Sequence, residues 1–187
     1  MTATNDLRDT LPISGNDWSV LVPDAGGTWT PTRRVSICIP TRNPGPGLVR
    51  TLRCLDAQTY PAELIEIVVA DDGSDTPIEL PDDFAHPVRV VRQERTGDFG
   101  AGQARNLAGA AAAGDILFFL DADVIPERQV VESYARWFEQ CDLAVPMGLC
   151  RFVDVDDLDT PGLVDLVASG SMERHFEGDD VDDQSWR

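Results

Sequence analysis

The stretch Gly114–Asp123, GDILFFLDAD, constrains the fold more than any other. Its apolar run, Ile116–Leu120, is short, rich in aromatic and branched residues, and bounded by Gly-Asp before it and acids after it. That pattern predicts a buried strand rather than a helix. Side chains two apart on a strand share a face, so Asp121 and Asp123 can both face one ligand. Acids at the carboxyl end of such a strand stand where open α/β sheets bind their ligands. Close carboxylates repel each other. A hard cation such as Mg²⁺ or Mn²⁺ relieves the repulsion and keeps positions open for phosphate oxygens. One reading of the triplet is therefore a metal–diphosphate site. The other is that the acids merely end the strand and cap a helix starting near Pro126.

The neighbouring segments predict a parallel sheet. Val35–Ile39 reads as a buried strand that runs into the Pro- and Gly-rich loop Pro40–Gly47, where a helix is excluded. Leu48, Val49, Leu52 and Leu55 then follow helical spacing, up to about Gln58. A second strand, Ile65–Ala70, ends in Asp71-Asp72-Gly73-Ser74-Asp75. Strand, helix, strand in this order is a βαβ unit, whose strands are parallel and whose polar ends share an edge. Val88–Val91 is a third strand. The glycine-rich loop Gln93–Gly102 follows it and opens a helix, Gln103–Ala113. After the acids come a helix, Pro126–Gln140, and a strand, Leu143–Met147, which Gly148–Val153 extends. Residues 1–33 read as a flexible arm with a short strand at Ser19–Val22, pinned to the surface by Trp18 and Trp29. Residues 154–187 read as a solvated acidic tail with a helix near Leu163–Ala168 and nothing that closes a core.

Composition narrows the function. The net charge is −18, and all fifteen basic residues are arginine. A nucleic-acid surface needs a basic face, and P-loop or Schiff-base chemistry needs a lysine. Phosphate binding must then be built locally, from arginine, backbone N–H groups or a metal. The four cysteines form no C-x-x-C pair and there are only two histidines, which argues against a zinc cluster. Cys38 reads as core, and Cys54, Cys141 and Cys150 as packing. His86 and His175 fall in loops. Reduced thiols suit a cytosolic setting. The N-terminus lacks the basic start and apolar core of a secretory signal, and no apolar run reaches membrane-spanning length.

Taken together, four stretches resemble, in order, motifs of family 2 glycosyltransferases. VSICIPTRN (Val35–Asn43) is similar to the family's first strand and its Pro-Thr-aromatic-Asn turn. IVVADDGSD (Ile67–Asp75) looks like its Asp-Asp-Gly-Ser turn. GAGQARN (Gly100–Asn106) resembles its Gly-x-x-x-Ala-Arg-Asn helix start, and Gly114–Asp123 its Asp-x-Asp strand. The resemblance implies a GT-A fold: α/β, with a Rossmann-like, mostly parallel sheet flanked by helices. It places the nucleotide-sugar-binding domain at residues 34–153. The fold then looks truncated at its C-terminus, with 154–187 as tail or as the start of an acceptor-side region.

The same resemblance implies roles. Pro40 and Thr41 would border the nucleobase, and Asp71 or Asp72 would accept a base N–H while the other caps the turn. Arg95 would lie near base or phosphate. Arg105 and Asn106 would face the sugar or brace the loop. Asp121 and Ala122 would touch ribose or sugar, and Asp123, with Asp121, would hold Mn²⁺ or Mg²⁺. Arg42 departs from the family, standing where an aromatic residue is common; its flat guanidinium can stack on a base or reach a phosphate. Structural readings stand beside these: Arg105 pairing with Asp71 or Asp121 to brace the sheet edge, and Ser74 and Asp75 as turn formers.

The implied function is transfer of a sugar from a nucleotide-diphosphate donor, a UDP-sugar foremost, to an acceptor hydroxyl, with inversion. The implied base lies beyond the Asp-x-Asp strand, where Glu173, Glu177, Asp179 and Asp180 are the available acids in a poor context. The chain is thus expected to bind nucleotide better than it catalyses. A non-catalytic nucleotide-sugar-binding or partner-binding module is the alternative. A sugar nucleotidyltransferase is disfavoured because Thr41–Gly47 carries no lysine, and a dehydrogenase because no G-x-G-x-x-G follows the first strand.

Overall fold

The structure, a computed structural model, describes residues 29–94, 100–142, 144–155 and 157–175. Trp18 and the expected strand Ser19–Val22 lie outside these. The elements run β1 (Val35–Thr41), α1 (Gly47–Leu55), a 3₁₀ turn (Ala62–Leu64), β2 (Ile65–Asp71), β3 (Val88–Arg92), α2 (Ala101–Ala111), β4 (Ile116–Phe119), α3 (Val130–Trp137), α4 (Thr160–Ser169) and α5 (Met172–His175). The sheet has the order β3-β2-β1-β4, and every pairing is parallel.

The two central strands explain themselves by alternation. Val35, Ile37 and Ile39 of β1 and Ile65, Ile67 and Val69 of β2 turn to one face, where they pack with Leu48, Leu52 and Leu55 of α1 and Val131 of α3. Cys38, Val68 and Ala70 turn to the other face, against Ala104 and Ala108 of α2. Alanine in those two places lets α2 lie close on the sheet while favouring the helix itself. Trp29 packs on Tyr60, ring centroids 5.9 Å apart, and takes the Arg136 guanidinium on its face at 4.8 Å.

Four expectations need correction. The strand before the acids is not buried on both faces: β4 is an edge strand, and Leu117 and Phe119 are exposed at 45% and 46%. No strand forms over the described part of Leu143–Met147 or over 148–153. Val145 and Met147 alternate as strand residues do, yet stand exposed, and Pro146 between them has no N–H to give a ladder. The tail from residue 154 does enter the core. Leu163 and Val167 of α4 are fully buried against Cys54 of α1. Asp159 caps α4 by accepting the Gly162 N–H at 2.8 Å. Cys150, expected to pack, is exposed.

Glu66 ties the sheet together. Its Oε1 accepts from Ser36 Oγ of β1 and from the Ala113 N–H ahead of β4, both at 2.6 Å. Ser36 Oγ in turn accepts the Gly114 N–H at 2.8 Å. Any side chain at 114 would meet Ser36 Oγ at 2.6 Å, so only glycine fits there. Burial alone pushes the Glu66 carboxyl up, but the bonds from Ser36 and Ala113 and the charges of Arg89 and Arg34 outweigh it, and the net direction is down from 4.5. A carboxylate with a lowered folded pKa stabilises fully above its unfolded value and loses that contribution as pH falls through the folded value. Glu66→Gln is therefore expected to cost about 1 kcal/mol at neutral pH. In urea unfolding the gap to wild type should close as pH drops below 4.5.

Candidate functional site

Parallel register delivers the site. Thr41 ends β1 level with Asp71 at the end of β2, and Asp71 is level with Arg92 at the end of β3. Phe119 of β4 is level with Cys38, so the same register carried forward sets Asp121–Asp123 beside Pro40–Arg42. A cleft of about 440 Å³ opens at this edge. Pro40 and Thr41 line it from the end of β1, followed by Arg42, Asn43 and Pro44 of the next loop. Asp72 faces it from just beyond β2, Ala101, Ala104 and Arg105 from α2, and Asp121, Ala122 and Asp123 from beyond β4.

The adjacent acids Asp71 and Asp72 divide their work. Asp71 is 0% exposed and lies behind the cleft wall. It accepts the Ser74 N–H at 2.8 Å and pairs with Arg92 Nη1 at 2.6 Å. Arg92 Nη2 also donates to the Ser74 carbonyl at 2.7 Å, so one guanidinium closes the turn. Gly73 sits in that turn at φ +66°, in the left-handed region that favours glycine. Asp72 reaches the cleft. Its own N–H donates to the Thr41 carbonyl at 2.9 Å, and its Oδ1 accepts from Gln93 Nε2 and, at 3.3 Å, from the Gly100 N–H.

A second lock joins the first two strand-end loops. The Asn43 N–H donates to Ser74 Oγ at 2.9 Å, Asn43 Nδ2 to Asp75 Oδ2 at 3.0 Å, and the Asp75 N–H returns to Asn43 Oδ1 at 3.0 Å. Ser74 and Asp75 thus serve as turn and loop partners.

Across the cleft, Arg105 Nη2 bonds Asp121 Oδ1 at 2.6 Å. The brace considered for Arg105 is present, and both its partners line the cleft. Asp123 and Arg42 are exposed at the same opening. The N-terminus of α2 begins at Gly100, φ +133°, with no side-chain cap. Helix N-termini present N–H groups and a partial positive charge to anions. Asn106 is exposed and outside the cleft lining. Arg95 falls outside the described residues, as do Glu177, Asp179 and Asp180, and Glu173 lies on α5. His86 is buried and bonds the Leu55 carbonyl at 3.0 Å, which makes it a packing residue.

The donor set speaks to a metal. Among the described residues no group of three or more His, Cys, Asp or Glu side chains could hold one. The cleft offers the Asp121 and Asp123 carboxylates. That fits Mg²⁺ or Mn²⁺, which bind through one or two carboxylates with phosphate oxygens and water completing the shell. It does not suit a dedicated structural ion.

The sequence reasoning missed Arg92 and Gln93. Their signal was position: Arg92 is the last residue of β3, a strand expected to stop at Val91, and Gln93 opens the loop beyond it.

A Rossmann-like parallel sheet with acids at its strand ends has clear counterparts. The chain matches the glycosyl transferase family 2 model over residues 36–183 and belongs to that family. It is 33% identical over 129 residues to the glycosyltransferase GlyG of Streptococcus pneumoniae, which covers 67% of this chain and 41% of GlyG. It is 35% identical over 132 residues to the pre-mycofactocin glycosyltransferase of Mycobacterium tuberculosis, covering 69% of this chain and 26% of that one. Among solved structures, the Pyrobaculum calidifontis mannosyltransferase PcManGT, in complex with GDP-Man and Mn²⁺, aligns with a TM-score of 0.47 at 27% identity, over 58% of this chain and 33% of its own. The chain spans less than half the length of these curated relatives. No helix among the described residues is long and apolar enough to cross a membrane.

Asp71 is fully buried although Arg92 is partly exposed, so removing the guanidinium leaves a buried carboxylate short of a partner. Arg92→Met should therefore lower stability by about 2 kcal/mol in urea unfolding. Asp123→Ala, at an exposed position, should change it by less than about 0.5 kcal/mol.

Proposed function

We propose that residues 34–153 form the donor-binding domain of an inverting family 2 glycosyltransferase. Residues 154–187 begin its acceptor side. The donor is a nucleoside-diphosphate sugar, a UDP-sugar foremost, bound with Mn²⁺ or Mg²⁺. The observation that carries this reading is the convergence of Thr41, Asp72, Arg105, Asp121 and Asp123 on one cleft beside a helix N-terminus. The printed names of GlyG and the pre-mycofactocin glycosyltransferase support the reaction class.

Pro40 and Thr41 border the base, and Asp72 accepts a ring N–H, which suits uracil. Asp71, turned away from the cleft, holds the turn that presents Asp72. Arg42 meets the base face or a phosphate at the lip. The α2 N-terminus and Arg105 take diphosphate charge in a chain whose net charge otherwise repels it. Asp123, with Asp121, holds the divalent ion, which when bound stabilises negative charge on the leaving diphosphate. The base for the acceptor hydroxyl is assigned to none of the described residues. Four free cysteines support a reducing, cytosolic setting.

A second reading, a non-catalytic nucleotide-sugar-binding module, has one observation in its favour: Asp121 is already neutralised by Arg105 at 2.6 Å. Both readings require donor binding, and turnover of a UDP-sugar separates them.

Calorimetric titration with UDP, in Mn²⁺ and then in EDTA, with GDP and dTDP alongside, is the test. Binding of UDP should strengthen with Mn²⁺, and Asp123→Ala should abolish that gain. Asp72→Ala should weaken UDP roughly 10- to 100-fold, the loss of a hydrogen bond to a charged group. A folded protein that binds none of the diphosphates would overturn the proposal.

A further inference from the structure

The acids at the cleft mouth stand on a short exposed segment with few ties of its own. Leu120 N–H donates to the Cys38 carbonyl at 3.1 Å, and Val124 N–H closes a weak turn onto the Asp121 carbonyl at 3.3 Å. From the opposite side, α1 reaches it. Thr51 is 1% exposed, and its Oγ1 lies 2.9 Å from the Ala122 carbonyl and 3.0 Å from the Val124 carbonyl. Those carbonyls flank Asp123 on either side.

A threonine inside a helix commonly turns its hydroxyl back to a carbonyl of its own preceding turn. This one crosses to a segment more than seventy positions away in sequence. The start of α1 also packs there: a Cβ at Gly47 would stand 3.6 Å from the Ala122 carbonyl oxygen and 3.9 Å from Asp123 Cα.

We propose that Thr51 is a positioning residue for the cation, its buried hydroxyl clamping the backbone on both sides of Asp123 so that the carboxylate is held ready to bind. The inference rests on the donor-binding reading of this cleft. The physics is that of an outer-shell partner: a ligating carboxylate is only as well placed as the groups that hold its backbone. A hydroxyl carries one proton, so Thr51 shares a single donor between the two carbonyls. Losing it frees both carbonyls without touching any atom of Asp121 or Asp123. Thr51 is buried and does not line the cleft, so its effect should appear only where the cation is involved.

The experiment compares wild type, Thr51→Val, Thr51→Ser and Thr51→Ala in the full chain, titrating Mn²⁺ into protein and UDP, with UDP binding in EDTA as reference. Thr51→Val keeps the shape and removes the donor. The Mn²⁺ concentration at half-effect should rise roughly tenfold, the usual scale for losing an outer-shell partner. UDP affinity in EDTA should stay within about twofold, as expected for uncoupled sites. Thr51→Ser should restore the wild-type Mn²⁺ response. Should Thr51→Val fail to fold, Thr51→Ser and Thr51→Ala, which differ by one oxygen, carry the same comparison. An unchanged Mn²⁺ response in the variants lacking the hydroxyl, or equal losses with serine and alanine, overturns the role of Thr51 alone. A wild-type protein that binds UDP with no dependence on Mn²⁺ overturns this role and the cation's part in the donor-binding reading, and one that binds no UDP overturns that reading itself.

Discussion

Parallel pairing is the constraint from which the rest of this structure follows. Parallel strands cannot be joined by a tight turn, so each crossover must travel back over a face of the sheet, and a helix is the economical way to do it. In this chain α1 returns over one face between β1 and β2, and α2 packs on the other face ahead of β4. The consequence at the edge is geometric. Every strand ends on the same side, so Thr41, Asp71, Arg92 and the acids after β4 arrive together without any one segment having to be long. Small residues on α2 and the unsubstituted Gly114 beside Ser36 are what the close packing of that arrangement requires.

Electrostatics then divides the edge into a fixed part and an exposed part. The Asp71–Arg92 pair is buried on the acid's side and fully engaged, with Ser74 accepting and donating to complete it. Asp121 and Asp123 are open to solvent, one held by Arg105. A chain with net charge −18 keeps its available cations local, and two of them, Arg42 and Arg105, border this cleft. Buried charge holds the loops in place, while exposed charge stays available to a ligand.

Much of this was legible from the chain, for physical reasons. Continuous apolar runs bounded by Gly, Pro and Asp located β1, β2 and β4, most clearly β1 and β2, which are buried on both faces. The segments that end these strands were legible too, since the polar residues begin where burial stops. What failed had a different origin. β4 was read as buried from its apolar run, yet Leu117 and Phe119 are half-exposed at an edge. Val145 and Met147 carry a strand's alternation but pair with no strand among the described residues, and pairing is a property of the whole sheet. The helix near Leu163–Ala168 was legible, but the aspartates around it suggested solvent, whereas Leu163 and Val167 seat it on Cys54. Arg92, Gln93 and Thr51 act through contacts distant in sequence, which no local pattern encodes.

The central claim is that these strand ends form one nucleoside-diphosphate site. Backbone-amide NMR of the labelled chain with UDP and Mg²⁺, followed by a trace of Mn²⁺, tests it most directly. The account predicts shifts at Thr41, Asp72 and the start of α2, with paramagnetic broadening centred on Asp121–Asp123. Broadening centred instead on the acidic stretch around Asp154–Asp159, with Thr41 and Asp72 unmoved by UDP, would contradict it.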